Sequence, residues 1–252
     1  PGGSLGCTDL ITALYFEIMD ATPEDFTSDG KGQDMFFLSN GHLSSVFYSV
    51  LARRGFFPIE ELGTFRKINS RLQGHPTPTH HLPGIRVAAG SLGQGLSVAI
   101  GAAIAKKNNH DDKTIFVLTG DGELQEGQNW EAFLFAPAKK VDNLIAVIDY
   151  NKKQIDGPTD EVLSLGDLKA KMLAFGWETL EMNGNEMSEV VETLQKAKTL
   201  TGKGKPVVIL MHTEMGMGVD FMMGTHKWHG TPPNAEQTAA ALAQLPETLG
   251  DY

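Results

Sequence analysis

With 252 residues, 41% hydrophobic and 21% charged, the chain has the composition of a soluble globular protein, enough to bury a substantial core as one large domain or two small ones. A net charge of −10 speaks against a nucleic-acid surface, which is normally basic, and no apolar run approaches the roughly 18 residues of a membrane-spanning helix. Cys7, the single cysteine, excludes an internal disulfide, suits a reducing cytoplasm and is expected to serve packing.

Residues 8–19 place apolar side chains at helical spacing behind Thr8, read as the cap, with Asp9 in the first turn. Residues 35–39 form a short strand ending in Asn40-Gly41-His42, and residues 43–53 continue as a helix. Residues 58–70 read as helical, whereas 74–83, dense in Pro, Thr and His, read as a loop. Helix 95–107 is rich in Ala and Ile. The apolar, β-branched runs 114–119 and 143–149 read as strands buried on both faces, joined by a helix over 126–140 with Pro137 near its end. Beyond them, 168–175 and 187–200 read as helices, 178–182 and 206–212 as strands, 215–231 as a Gly- and Met-rich loop, and 234–245 as a closing helix. There is no internal repeat and no dividing linker, so the alternation predicts one α/β domain over residues 1–252: a doubly wound, mostly parallel sheet flanked by helices.

The strand–helix–strand stretch from 114 to 149 is a βαβ unit with a right-handed crossover, and ligands collect at the carboxyl ends of such strands. Asp121, in the run GDGELQEG at 120–127, follows one of those ends. Asn151, in DYNKKQIDG, follows the other. An anionic and a neutral oxygen, with a carbonyl from the turn after Asn151, suit a magnesium ion held on a diphosphate. Gly120 and Gly122 let backbone approach the phosphates, with the Gly122 N–H pointing at them. The competing reading is an ordinary turn closing a strand. The second anchor weighs against it.

GSLGQG at 90–95 precedes a helix whose N-terminus attracts anions, but it lacks the ending of a Walker loop and the GxGxxG spacing. Glycines that merely allow close helix packing remain an open reading. His42, His75 and His229 lie beside Gly or Pro in loops, where imidazole can donate to phosphate or shuttle a proton. His80 and His81 lack the HExxH or CxxC context of a zinc site. These two, with His110, His212 and His226, read as surface or structural.

PGGSLGCTDLI, FFLSNGH, LQGHP, AAGSLGQG, GDGELQEGQNWEA, DYNKKQIDG and HKWHG occur in that order. Together they resemble the amino-terminal, diphosphate-binding domain of transketolase, a thiamine diphosphate enzyme, over nearly the whole chain. The resemblance implies the thiamin diphosphate-binding fold and transfer of a two-carbon ketol unit from a ketose phosphate to an aldose phosphate. By matching position it implies Mg2+ (or Ca2+) on Asp121, Asn151 and the carbonyl of Lys153. It implies diphosphate contacts from Gly122 N–H, His42 and His229, and cofactor-ring contacts from Gly90 and Leu92. Glu126 matches a carboxylate that links two cofactor sites across a dimer. His42, His75 and His229 are the implied catalytic residues, the last two hydrogen-bonding the ketose donor and moving its protons.

The family also carries a histidine just before ProGly, expected ahead of Pro1. The pyrimidine-binding and carboxy-terminal domains of whole transketolases have no counterpart in these residues. The resemblance therefore implies a split cytoplasmic enzyme of carbohydrate metabolism (the pentose phosphate pathway), completed by a C-terminal, pyrimidine-binding subunit in a dimeric or heterotetrameric assembly. GDGELQEGQNWEA and the ending near Tyr252 are similar to the small subunits of split bacterial transketolases; an excised fragment is the alternative. The rival functions are another thiamine diphosphate enzyme subunit, deoxyxylulose phosphate synthase-like or 2-oxoacid dehydrogenase α-like, and a non-catalytic assembly or regulatory subunit. The GHP and KWHG histidines speak against the first, and the retained Asp121, Asn151 and loop histidines against the second.

Overall fold

Side chains along a strand point alternately to opposite faces, so an unbroken apolar run buries both. In the computed structural model, which describes residues 1–245, four such runs become β1 (Met35–Leu38), β2 (Ile115–Gly120), β3 (Leu144–Asp149) and, after the short hairpin strands β4 (Lys153–Gln154) and β5 (Gly157–Pro158) and the strand β6 (Glu178–Asn183), β7 (Val207–His212). The large sheet has the order β1-β2-β3-β7-β6, every pair parallel. This is the predicted α/β sheet. Phe36, Leu38, Phe116, Leu118, Ile145, Val147, Ile209 and Met211 build the core of one face, against helices α3 (Ser44–Arg54) and α8 (Met187–Leu200). Their strand neighbours Phe37, Ile115, Val117, Ala146, Ile148 and Leu210 face the opposite core, against α4 (Gly95–Asn108), α5 (Gly127–Ala138) and α7 (Leu168–Phe175).

That division positions the site. The chain leaves β1 toward α3 on one face and leaves β2 toward α5 on the other, so the two loops diverge and leave a crevice at the carboxyl edge. Gly120 registers with Asp149, and Asp121 N donates to Asp149 O at 3.1 Å, which sets the turn after β2 beside the turn after β3. No helix among the described residues is long and apolar enough to cross a membrane.

Three expectations change. Residues 58–70 do not form a helix: a 3-10 turn at Ile59–Thr64 ends where Arg66 and Asn69 adopt left-handed φ of 59° and 64°, values that end helical hydrogen bonding. Residues 8–19 divide into α2 (Thr8–Ala13) and a π-helical turn at Leu14–Ile18, and Thr8 does not cap, because its hydroxyl donates back to Ser4 O at 2.9 Å. An additional helix, α1 (Gly2–Gly6), precedes it. The closing helix is capped as its sequence suggests, Asn234 and Gln237 satisfying each other's backbone amides ahead of Ala235–Gln244. The ending near Tyr252 lies outside the described residues.

Candidate functional site

The crevice narrows to a cavity of about 120 Å³, the liquid volume of roughly four waters, lined by Asn40 and His42 from the loop after β1, Asp121 and Gly122 from the turn after β2, Asn151 and Lys153 after β3, Leu92, and His229. One end of an elongated ligand fits such a space. The structure thus brings together, from distant parts of the chain, seven of the predicted site residues. Three others stay outside the lining. His75 is exposed and stacks against Gly90, where an added Cβ would lie 2.7 Å from the His75 ring, so the backbone at Gly90 (φ 113°) requires glycine. Glu126 is exposed at the start of α5, facing away from the cavity lining.

Asp121 is almost fully buried. Its Oδ1 accepts from Gly122 N at 2.7 Å and its Oδ2 from Lys152 N at 2.5 Å. Burial, reinforced by the nearby Asp149 charge, pushes its carboxyl up to about 7. The Gly122 N–H expected to face a phosphate is therefore engaged with the neighbouring carboxylate. Asn151 turns its Nδ2 to Asp149 Oδ2 at 2.8 Å, and its Oδ1 accepts from Lys153 N at 2.8 Å. Because a carboxylate takes only donors and an N–H needs an acceptor, these two contacts settle which end of the amide is oxygen. Asp149 is itself buried, accepts from the Thr213 hydroxyl and from the Cys7 thiol, and is held above the usual carboxylate range by burial. Cys7 is buried as expected, with the added contact to Asp149.

Two further side chains at the rim have no motif that sequence reasoning could seize. Glu123, buried between Asp121 and α5, accepts from the Ser39 hydroxyl, from Gly93 N at 2.8 Å and from Gly120 N at 3.0 Å, and burial raises its carboxyl. It thereby ties the ends of β1 and β2 to the 90–95 loop. Asn40 is buried and its Oδ1 has no hydrogen-bond partner. The only hint in sequence was position, each lying next to a residue already singled out.

The histidines share one electrostatic condition. The rings of His42 and His229 lie 5.1 Å apart. Burial, with the charges of His229, His75 and the amino terminus, pushes His42 down to about 4. His229 is lowered by burial and by the same amino terminus. Both are neutral imidazoles near pH 7, and His229 Nδ1 is buried without a partner.

Among the described residues no three His, Cys, Asp or Glu side chains form a metal-ligating cluster. The oxygens that line this cavity, one carboxylate, one amide and the backbone after Asn151, suit a hard cation such as Mg2+ or Ca2+. The orphaned Asn40 Oδ1 and His229 Nδ1 are polar atoms that a bound polar ligand would satisfy. The residues fit a metal-bound diphosphate.

Comparison with known proteins points the same way. The family model described as "Transketolase, thiamine diphosphate binding domain" matches residues 1–247. The chain is 42% identical to the A subunit of apulose-4-phosphate transketolase from Phocaeicola vulgatus, over 98% of its own length and 86% of that protein's. It is 40% identical to 6-deoxy-6-sulfo-D-fructose transketolase subunit SqwG of a Clostridium species, covering 97% of this chain and 87% of that one. Among solved structures, transketolase from Leishmania mexicana superposes with a TM-score of 0.88 at 32% identity, over 96% of this chain but 37% of the other.

Proposed function

Since the chain belongs to the transketolase family, as its thiamine diphosphate-binding domain, we propose that it supplies the diphosphate-and-metal half of a two-chain active site. The reaction is transfer of a two-carbon ketol unit from a ketose phosphate to an aldose phosphate. The carrying observation is the convergence in one small cavity of Asp121, Asn151 and two neutral histidines with an unpartnered ring nitrogen between them.

Asp121, Asn151 Oδ1 and the Lys153 carbonyl would hold Mg2+ or Ca2+ against the diphosphate. His42 and His229, neutral when the cavity carries no anion, would donate to phosphate oxygens, and an arriving negative charge favours their protonated forms. Gly90 and Leu92 form the wall toward the cofactor rings. His75, exposed at that wall, would meet the sugar together with His229 and move its hydroxyl protons. Thiamine diphosphate, when bound, supplies a nucleophilic carbon and an electron sink for the two-carbon unit. Glu126, exposed on the outer side, would reach a second copy of the site across an assembly. The sugar carries an anionic terminal group; a phosphate is the first reading, and the resemblance to a sulfofructose transketolase subunit favours a sulfonate as the second.

The chain spans about a third of whole transketolases. Pyrimidine activation and most of the sugar-phosphate grip are therefore assigned to a C-terminal subunit, in a dimeric or heterotetrameric complex of cytoplasmic sugar metabolism such as the pentose phosphate pathway. The test is reconstitution: the purified chain is inert with ketose and aldose phosphates, and activity appears when the partner chain is added. Turnover by this chain alone would sink the two-chain reading.

A further inference from the structure

Lys153 is the one Lys or Arg among the described residues that line the cavity, and the cavity also holds the buried carboxylates of Asp121 and Asp149. A flexible ammonium beside two buried carboxylates is strongly drawn to them, because attraction between charges grows as water is excluded. Its charge already acts on Asp149. Yet Lys153 Nζ points elsewhere, to Glu214 Oε1 at 2.8 Å. Glu214 is itself held in place, since the same Oε1 accepts from Gly224 N at 2.7 Å and its own N–H donates to Asn185 Oδ1 at 2.7 Å. Asn185 is in turn anchored through Nδ2 to Gly6 O at 3.0 Å.

We propose that Glu214 is a positioning residue that keeps the Lys153 ammonium out of the cation position between Asp121 and Asn151, reserving it for the metal. The inference rests on those two residues being metal ligands. Without Glu214, Lys153 swings onto the carboxylates and competes with the divalent ion as an internal, tethered cation. Lys153 contributes its carbonyl to the metal in any case, so its side chain is dispensable for binding, and removing the ammonium cures the loss of Glu214.

Calorimetric titration of thiamine diphosphate with Mg2+ into the full chain tests this on four proteins: unsubstituted, Glu214→Gln, Lys153→Met and the double variant. Glu214→Gln is expected to weaken binding by about tenfold, and Lys153→Met in the same chain to restore it to within about threefold. Unchanged affinity in Glu214→Gln overturns the proposal. So does a double variant as weak as Glu214→Gln, because Glu214 would then act only by tethering the segment at Gly224. Should Glu214→Gln fail to fold, Lys153→Met alone decides: it binds at least as tightly as the unsubstituted chain, and weaker binding overturns the proposal. Asp121→Ala binding as well as the unsubstituted chain would instead reject the metal site, whatever Glu214 does.

Discussion

Asn151 donates through Nδ2 to Asp149 Oδ2 at 2.8 Å, and in doing so turns its amide oxygen away from one buried carboxylate and toward the cavity it shares with the other, Asp121. The amide is thus locked before any ligand arrives. Preorganisation of that kind lowers the ordering cost of binding. Asp149→Asn removes the acceptor-only partner and lets the Asn151 amide flip. Metal-dependent cofactor affinity is expected to fall by about tenfold, with the chain still folded by far-ultraviolet dichroism.

Asp121 lies in conflict with stability. Its folded carboxyl, at about 7, titrates above the ordinary 3.8. The folded state therefore holds this proton more tightly than the unfolded state, and the associated stability is lost as pH rises from about 4 through 7, up to roughly 4 kcal/mol. Asp121→Asn is expected to flatten that decline and to melt higher than the unsubstituted chain at pH 8 in chelator. The same variant loses Mg2+-dependent thiamine diphosphate binding by at least about a hundredfold. Equal melting temperatures at pH 8 would contradict the burial argument.

His42 imposes the opposite slope. Its folded value near 4 lies below the ordinary 6.5, so the unfolded chain takes up the proton first and stability falls as pH drops through that window, by up to about 3 kcal/mol. His42→Gln is expected to be less acid-sensitive between pH 6.5 and 4 in urea titrations. A variant as acid-sensitive as the parent would place the effect elsewhere.

Glu123 gathers three donors from three segments, so Glu123→Ala leaves the Ser39 hydroxyl and two backbone amides without their acceptor and is expected to cost about 3 kcal/mol in chemical denaturation. In a double-mutant cycle with Ser39→Ala the coupling is expected to exceed about 1 kcal/mol. A coupling near zero would mean that the two rim segments are held by something else.

Gly41 tests how closely the loops approach. A Cβ there would lie 2.6 Å from both Ala89 Cβ and Gly90 N, one of them backbone that cannot yield. Gly41→Ala is expected to destabilise by about 1–3 kcal/mol and to weaken cofactor binding by displacing His42.

The sheet and the Asp121–Asn151 pair were legible because apolar runs of strand length stop abruptly at polar turns, so the strand ends, and with them the site, could be located by number. The failures have local causes. The stretch 58–70 has helical composition, but Arg66 and Asn69 take left-handed backbone that no pattern announces. The hairpin of β4 and β5 is two residues on each side, too short for alternation to register. Asp149 looked like the polar end of a strand, and Glu123 like one more acid in an acidic turn. Their roles arise from burial and from partners far away in sequence, which only the fold assembles.

Ser39 and Glu123 stand 84 positions apart, yet one hydroxyl and one carboxylate form a single fastening at the mouth of the crevice. Neither position is free to drift alone. Among related chains the two should change together or not at all, so a natural variant that replaces the acid at 123 while keeping the serine at 39 marks a lineage in which the rim has been rebuilt.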